Sequence, residues 1–315
     1  MDKTGLRKDE RRMPSIQAKM ISGLFKMLSV NKMLDKQGTD FQKLLERYKE
    51  KQKKPLKIPY RKMGNFTIET RVIEGTTCHV ISRKNTRPEK AVLYLFGGGY
   101  ILPPDPGDII LCGQMAENCN AEVWFPLYPM APDHRLIETL QSTLKVYQEI
   151  LKKYDSGDVR FFGTSSGGGQ AMSLCVYIKS ERSEIPLPQK LVLQSPGLQV
   201  PPGKAQRAEM NRRSRADVMI PPGFFDNIAP VLATDEEAYL LNPMLYDLTG
   251  FPEIDVFYGT REIMIAYLRD FKRVCKKYGV KLNVHIGQDM MHCWGAIEFM
   301  PEARAVREKY FKALR

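Results

Sequence analysis

Hydrophobic and polar positions in the first part of the chain alternate with the period of an α-helix. One set of apolar residues recurs at steps of three and four, with lysines between its members: Ile16, Met20, Leu24, Met27 and Leu28. A second set has the i, i+3, i+4, i+7 spacing of one helical face: Phe41, Leu44, Leu45 and Tyr48. The pattern predicts two amphipathic helices with a break at Gly38, and Pro55 and Pro59 end the helical region.

From residue 65 onwards the pattern becomes one of strands alternating with helices. Two β-like runs, Asn65–Glu74 and Thr76–Arg83, surround Gly75 and predict an antiparallel pair. Six further runs predict strands: Ala91–Phe96, Glu122–Pro126, Val159–Phe162, Lys190–Gln194, Ile254–Tyr258 and Lys281–Ile286. Helical stretches lie between or after them, near residues 108–119, 136–154, 168–181, 262–279 and 296–313. This alternation is typical of βαβ units, so we expect an α/β protein with a mostly parallel eight-stranded sheet flanked by helices.

One segment, residues 197–250, does not fit the alternation. It contains two Pro-Pro pairs, a basic stretch from Arg207 to Arg215, and the aromatic residues Phe224 and Phe225. A connection this long inside a compact domain is usually functional, and a lid over a site is one such role.

The net charge of +12 is concentrated at one end of the 315-residue chain. Residues 1–62 hold 18 Lys or Arg and 7 Asp or Glu, so the remainder is almost neutral. One interpretation is a solvated helical segment; the other is a patch for nucleic acid or an anionic membrane surface. We expect no nucleic-acid partner, and weak membrane-surface contact through the basic N-terminal segment remains an alternative.

The lack of a recognisable targeting signal and the spacing of the cysteines predict a cytoplasmic protein. Lys26 interrupts the apolar residues 21–30, no small-residue cleavage site follows, and no run reaches the roughly 18 to 20 apolar residues of a membrane span. The six cysteines are scattered, without a CxxC pair or a metal-like spacing to the four histidines. The sequence therefore predicts a soluble cytoplasmic protein without a metal site or cofactor.

The sharpest chemical signal is the sequence Gly163-Thr164-Ser165-Ser166-Gly167 between a predicted strand and a predicted helix. This is the G-x-S-x-G elbow in its strand–turn–helix context, where a cramped turn exposes the serine hydroxyl. The N–H of Ser166 would point to the place where an oxyanion forms. The pattern predicts Ser165 as a nucleophile.

A second signal is the glycine run that follows Phe96 at the end of an earlier strand, Gly97-Gly98-Gly99, with Tyr100 after it. Without Cβ atoms, such backbone can approach a substrate closely and offer N–H donors to an oxyanion. A flexible loop and a phosphate cradle are the alternatives, but no Lys-Ser/Thr pair follows the glycines, as a P-loop requires.

The partners of the serine follow it in the chain, in the order acid and then histidine. His285 lies inside a predicted strand, where a structural role is expected, whereas His292 lies just beyond it in a loop. Glu262 follows the end of a strand and is the favoured acid. Asp255 begins that strand, and the other candidates are Asp270, deep in the next helix, and Asp289, close to His292.

Together these motifs resemble the hormone-sensitive lipase-like family of α/β-hydrolases, the microbial esterases with an HGGG motif. The resemblance covers roughly residues 65–315. The corresponding segments here are Phe96–Gly99, Tyr128–His134, Gly163–Gly168, Arg261–Met264 and Met290–Trp294. The resemblance implies a catalytic triad of Ser165, Glu262 and His292. It also implies an oxyanion hole formed by the amides of Gly98, Gly99 and Ser166. Two departures are Phe96 in place of the motif histidine and Glu262 where Asp is usual.

The resemblance also implies a helical cap built from two pieces. Residues 1–60 would be the N-terminal part of the cap and 198–248 its insertion, while 61–197 and 249–315 would form the two parts of the α/β-hydrolase core. Residues expected to line the substrate pocket are Tyr100, Met20, Leu24, Met27, Phe224 and Trp294. Packing within the cap itself is the alternative for the N-terminal residues and Phe224. A homodimer is a further expectation from the family.

The leading hypothesis is a serine carboxylic ester hydrolase acting through an acyl-enzyme on small or medium acyl esters, acetyl esters among them. The substrate partner would be a small-molecule ester. An amide hydrolase, such as an arylformamidase or small peptidase, would use the same triad. The third alternative is a catalytically silent binding protein on this fold.

Overall fold

The computed structural model describes residues 13–315, and its centre is one eight-stranded sheet. The strands in chain order are β1 (Phe66–Ile73), β2 (Thr76–Arg83), β3 (Lys90–Leu95), β4 (Ala121–Pro126), β5 (Val159–Thr164), β6 (Lys190–Gln194), β7 (Glu253–Gly259) and β8 (Leu282–Gly287). Their order across the sheet is β1-β2-β4-β3-β5-β6-β7-β8. β1 and β2 are antiparallel to each other, β2 is antiparallel to β4, and all other neighbours are parallel. The predicted fold class is confirmed.

Ten α-helices are present in residues 13–315. Their bounds are α1 (Ile16–Met27), α2 (Val30–Leu34), α3 (Gly38–Gln52), α4 (Pro106–Cys119), α5 (Leu136–Leu151), α6 (Ser166–Glu181), α7 (Lys204–Arg213), α8 (Phe224–Leu232), α9 (Leu268–Lys277) and α10 (Pro301–Leu314). Because βαβ crossovers place helices on the sheet faces, β3 to β7 read as almost uninterrupted apolar runs and are nearly completely buried.

The helix boundaries differ from the sequence expectation in two places. The predicted stretch 262–279 is a 3₁₀ segment, Ile263–Tyr267, followed by α9. The N–H of Ile263, the first residue of that segment, bonds to the carboxylate of Asp217. The predicted stretch 296–313 begins only at Pro301, whose fixed φ and missing N–H suit the first helical position.

The N-terminal region contains three helices where the sequence predicted two. α1 ends before Ser29, which has a φ of +50°, and the short α2 follows, while α3 begins at Gly38 as the predicted break implied. The predicted apolar face of α3 is buried, with Phe41, Leu45 and Tyr48 in the core.

The N-terminal helices contact the α7–α8 region. Phe41 of α3 packs edge-on against Phe224 of α8 with ring centroids 6.4 Å apart. The Asn227 side chain donates to the carbonyl of Lys36 at 2.8 Å. These contacts join the two segments expected to form the cap. The bounds of those segments, 1–60 and 198–248, remain a prediction. Residues 1–12 of the first segment lie outside the described residues.

No helix among the described residues has both the length and the apolar character needed to cross a membrane. All six cysteines of the chain are buried free thiols, so the scattered spacing seen in the sequence corresponds to unpaired side chains.

Candidate active site

Ser165 occupies a sharp turn between β5 and α6. Its φ of +54° and ψ of −119° lie outside the regions that L-residues normally occupy, so the surrounding packing must hold the strain. The turn can form because β5 and α6 approach closely: a Cβ on Gly163 would lie 2.4 Å from the carbonyl oxygen of Gly167. The sequence G-x-S-x-G thus has the steric role in the structure that the motif predicts.

The loop after β8 brings His292 to Ser165, and the loop after β7 brings Glu262 to His292. The Nε2 atom of His292 lies 2.9 Å from the Oγ of Ser165, and its Nδ1 lies 2.6 Å from the Oε2 of Glu262. All three residues are buried, and Glu262 is completely so. With a proton on Nδ1 donated to Glu262, Nε2 is free to accept the serine proton.

Ser195 holds the second oxygen of the acid. Its hydroxyl donates to Oε1 of Glu262 at 2.9 Å and accepts the N–H of Cys293 at 3.2 Å, and the Gly259 N–H also donates to Oε1, at 2.5 Å. Ser195 therefore joins the acid to the loop that carries His292. Sequence reasoning missed this residue, although it directly follows β6 at the same edge of the sheet where Ser165 follows β5.

Burial and neighbouring groups shift the pKa values of both Glu262 and His292. Burial is the largest effect on Glu262 and raises the pKa of its carboxyl above the usual value, although the hydrogen bond from His292 opposes that change. Burial alone would lower the pKa of His292, but Cys293 and Glu262 outweigh it and hold that pKa well above 6.5. These surroundings favour the imidazolium form of His292.

Asp217, between α7 and α8, supports the same loop from the other side. Its Oδ2 accepts the N–H of Ile263, directly after the acid, at 2.8 Å. Its Oδ1 accepts the N–H groups of Met219 and Ile220, at 2.8 and 3.0 Å. A buried carboxylate bound only by backbone N–H groups fixes their relative positions. Sequence reasoning missed this contact with the Glu262 loop, because Ile263 is far from Asp217 along the chain.

The glycine run after β3 lies against the nucleophile turn. A Cβ on Gly97 would lie 3.1 Å from the Cβ of Ser165, so these two backbone segments almost touch. Gly98 has a φ of +125°, a conformation that L side chains rarely adopt, and Gly99 has a φ of +62°. Within residues 13–315 the N–H groups of Gly98 and Gly99 have no hydrogen-bond acceptor, so both are available to a ligand.

Phe96, which stands where the resembled family has histidine, is fixed by stacking. Its ring lies parallel to that of Tyr128, with centroids 4.2 Å apart, and the Tyr128 hydroxyl donates to the Phe96 carbonyl at 2.8 Å. Both rings are buried. An aromatic pair and a side chain-to-backbone bond therefore hold the start of the glycine loop.

A cavity of about 510 Å³ opens onto Ser165 and His292. Its lining includes the glycine loop and two of the six expected pocket residues, Tyr100 and Phe224. Sequence reasoning missed three further lining residues, which belong to α2: Val30, Met33 and Leu34. The cavity volume is within the range of small-molecule sites.

Four of the residues expected in the pocket lie elsewhere. Met20, Leu24 and Met27 are 67%, 42% and 74% exposed on α1, outside the cavity lining. The reason is the packing of α1, which buries Ala18 and turns the opposite face outwards. Trp294 is buried behind the His292 loop, where its ring contacts the backbone region of Gly287.

His285 is held in the sheet, as its position in a predicted strand suggested. Its Nε2 lies 2.6 Å from Asp255, and its ring stacks on that of Phe257 at 4.2 Å. Neither His285 nor Asp255 lines the cavity. Within the described part of the chain, no group of three His, Cys, Asp or Glu side chains is arranged to hold a metal ion.

Sequence comparison matches this chain to a known family. A model of the alpha/beta hydrolase fold family matches residues 92–296. The chain is 23% identical over 223 residues to an acetyl-hydrolase of Streptomyces hygroscopicus, an alignment that covers 70% of this chain and 73% of the relative. It is 27% identical over 224 residues to carboxylesterase 20 of Arabidopsis thaliana, covering 64% and 67% respectively.

Solved structures with a similar fold cover nearly the whole chain. An esterase from the bacterial hormone-sensitive lipase family superposes with a TM-score of 0.77 at 21% identity, covering 96% of this chain and 99% of its own. A hormone-sensitive lipase from a metagenome library gives a TM-score of 0.75 at 20% identity, covering 94% and 97%. At these identities the likeness concerns the fold.

Proposed function

The chain belongs to the alpha/beta hydrolase fold family, and from that premise we propose that it is a serine carboxylic ester hydrolase with Ser165 as its nucleophile. The observation that carries the proposal is the continuous chain of hydrogen bonds from Ser165 through His292 to Glu262 at the floor of a cavity. The esterase names of its relatives support the same activity.

In the first half-reaction, the Oγ of Ser165 attacks the ester carbonyl while Nε2 of His292 takes the serine proton. Glu262 accepts the Nδ1 proton as a hydrogen bond and stabilises the imidazolium. His292 then gives the proton to the leaving alcohol, and the acyl group stays on Ser165. In the second half-reaction His292 takes a proton from water as the water oxygen attacks the acyl carbon. His292 then gives that proton to the Oγ of Ser165 as the bond between Oγ and the acyl group breaks, and the carboxylic acid leaves.

The oxyanion formed in both steps would lie against the N–H groups of Gly98, Gly99 and Ser166. Ser166 is the first residue of α6, so its N–H points out of a helix N-terminus. Such preorganised donors typically contribute about 3–4 kcal/mol each to transition-state stabilisation.

The cavity supports small or medium acyl esters as substrates, acetyl esters among them. Its lining is mainly apolar and includes Met33, Phe225, Ile228 and Met264. A volume of about 510 Å³ suits a short acyl chain and a modest alcohol better than a triglyceride. The acetyl-hydrolase name of one relative points in the same direction.

The test compares wild type, Ser165→Ala and Ser173→Ala on p-nitrophenyl esters from acetate to palmitate. Ser173 is a matched control because it is a buried serine on the same helix whose hydroxyl donates to the Gly169 and Leu240 carbonyls. We expect Ser165→Ala to lower kcat by roughly 10⁴–10⁶-fold. Ser173→Ala should stay within about tenfold of wild type, and the rate should be greatest on short chains.

Absence of ester hydrolysis by the wild type would overturn the proposal. In that case, labelling of Ser165 by a fluorophosphonate probe would show a reactive serine and favour an amide hydrolase. Absence of labelling would favour a catalytically silent binding protein.

A further inference from the structure

One face of α1 is apolar and directed to solvent. Its side chains lie at steps of three and four, with exposed fractions of 74% for Ile16, 67% for Met20, 42% for Leu24 and 74% for Met27. This spacing places them along one side of the helix. We call these four residues the α1 stripe. Soluble proteins seldom expose such a continuous apolar surface without an occupant.

The stripe belongs to a helix that is fixed to the protein body. Ser15 caps α1 through the N–H of Ala18, and its own N–H and hydroxyl donate to the two carboxylate oxygens of Glu302 at 2.6 and 2.8 Å. Ala18 is buried, while Ile21 and Phe25 pack against the core. The inward face of α1 is therefore already occupied, and the stripe is held facing outwards.

The surroundings of the stripe are basic. Lys19 and Lys26 lie on the exposed surface of the same helix, and Lys32 follows on α2. Residues 13–36 contain four lysines and one acidic residue, Asp35. An apolar face bordered by lysines is typical of helices that lie in the interface of an anionic membrane.

The helix that follows α1 reaches the catalytic cavity. Met33 of α2 is 41% exposed and also lines the cavity, together with Val30 and Leu34. On another part of the rim, Lys51 lines both this cavity and a neighbouring groove of about 490 Å³. That groove has further lysines in its wall: Lys49, Lys53, Lys54 and Lys57. The lining of the cavity thus includes an exposed apolar side chain, Met33, and a basic one, Lys51.

We propose that the α1 stripe and the lysines beside it bind the surface of an anionic lipid bilayer and place the cavity mouth next to that surface. Charge decides the occupant: in a symmetric pair of chains joined through the stripe, the lysines of both copies would be brought together, whereas anionic headgroups neutralise them. The proposal rests on α1 and its lysines and is independent of the hydrolytic chemistry.

The experiment is cosedimentation of the full-length protein with two kinds of vesicle. One kind is phosphatidylcholine alone, and the other is a one-to-one mixture of phosphatidylcholine and phosphatidylglycerol. We expect binding to the mixed vesicles to be stronger by about tenfold or more and to weaken as salt is added. The double variant Met20→Glu/Met27→Glu should lose at least about tenfold in affinity for the mixed vesicles, because it places two carboxylates in the stripe.

Leu245→Glu is the matched control, since Leu245 is 65% exposed but lies outside α1, and it should bind as wild type does. Thermal melting by circular dichroism checks that each variant is folded. Equal binding to both kinds of vesicle, or equal binding by wild type and the double variant, would overturn the proposal. A wild-type dimer that the double variant abolishes, measured by light scattering without lipid, would instead assign the stripe to a second copy.

Discussion

Two histidines follow Ser165 in the chain, and each is paired with a carboxylate at 2.6 Å. They differ in where they stand relative to the end of β8. His285 lies within the strand and bonds to Asp255 of the neighbouring strand, whereas His292 lies in the loop beyond it and reaches Ser165. A carboxylate–histidine pair by itself therefore does not bring a histidine to Ser165; the position of His292 beyond the end of β8 does.

The raised pKa of His292 has a consequence for the dependence of activity on pH. A general base acts only when deprotonated, so kcat/KM should fall with decreasing pH through the pKa of His292, above the usual 6.5. Activity should therefore be greatest at alkaline pH. A pH–rate profile with p-nitrophenyl acetate measures this limb, and a midpoint below 6.5 would contradict the assignment.

Glu262→Gln tests the cause of that shift. Loss of the carboxylate should lower the pKa of His292, which NMR titration of the imidazole in a Ser165→Ala background can follow directly. In the otherwise native chain the same change should reduce kcat by about 10⁴-fold, because the amide can stabilise the wrong tautomer. His285→Gln is the control, and it should leave both the pKa of His292 and kcat close to their wild-type values.

Local signals located the strands and helices well, but several boundaries depend on contacts from outside the element. The 3₁₀ segment after Glu262 begins at Ile263, whose N–H bonds to the carboxylate of Asp217 from another part of the chain. Pro301 sets the start of α10, and that boundary could be read from the residue itself.

The glycine loop after β3 depends on Tyr128, which follows β4. Tyr128→Phe keeps the ring stack on Phe96 but removes the hydrogen bond to the Phe96 carbonyl. We expect a loss of about 1 kcal/mol in the free energy of unfolding and a fall in kcat of about tenfold, with little change in KM, because the loop would hold its N–H donors less rigidly. Urea denaturation and steady-state kinetics measure the two effects.

Tyr147→Phe is the matched control for that prediction. Tyr147 is also a buried tyrosine, and its hydroxyl donates to the Pro186 carbonyl at 2.9 Å, away from the cavity lining. It should lose similar stability without losing kcat. Equal kinetic effects of the two variants would mean that Tyr128 acts only through general stability.

Two parts of the chain that are far apart in sequence meet over the carboxyl edge of the sheet and shape the cavity. The α2 residues come from the N-terminal region, while Phe224, Phe225 and Ile228 come from α8. Their contact through Phe41 and Phe224 joins the two segments. The shape of the cavity is therefore a property of both segments together.

Met33→Trp should narrow the cavity from the α2 side. We expect kcat/KM for longer acyl chains to fall by about tenfold relative to acetate, since the added ring volume takes space from the distal part of the chain. The measurement is the ratio of kcat/KM for p-nitrophenyl octanoate to that for p-nitrophenyl acetate.

Met27→Trp is the control, because Met27 is an exposed methionine of the same N-terminal region that does not line the cavity. Its octanoate-to-acetate ratio should equal that of wild type. A fall in the ratio for both variants would show that α1 also restricts the substrate.

The alternating pattern of apolar runs and helical stretches determined the α/β architecture, because burial of a parallel sheet on both faces leaves a strong signal in each strand. Short-range steric demands likewise leave local sequence patterns. The small residues around Ser165 and the glycines at Gly98 and Gly99 could thus be recognised from sequence, as could the order of serine, acid and histidine.

Tertiary packing decided the features that depend on contacts between distant parts of the chain. The helical period of α1 predicted an apolar stripe but not which face would be buried. Ala18, Ile21 and Phe25 pack inwards, whereas Met20 and Met27 are exposed. Ser195 and Asp217 act on Glu262 and its loop across long separations in sequence, so no spacing rule could identify them. The shape of the cavity depends on where distant segments meet, which is a property of the folded chain alone.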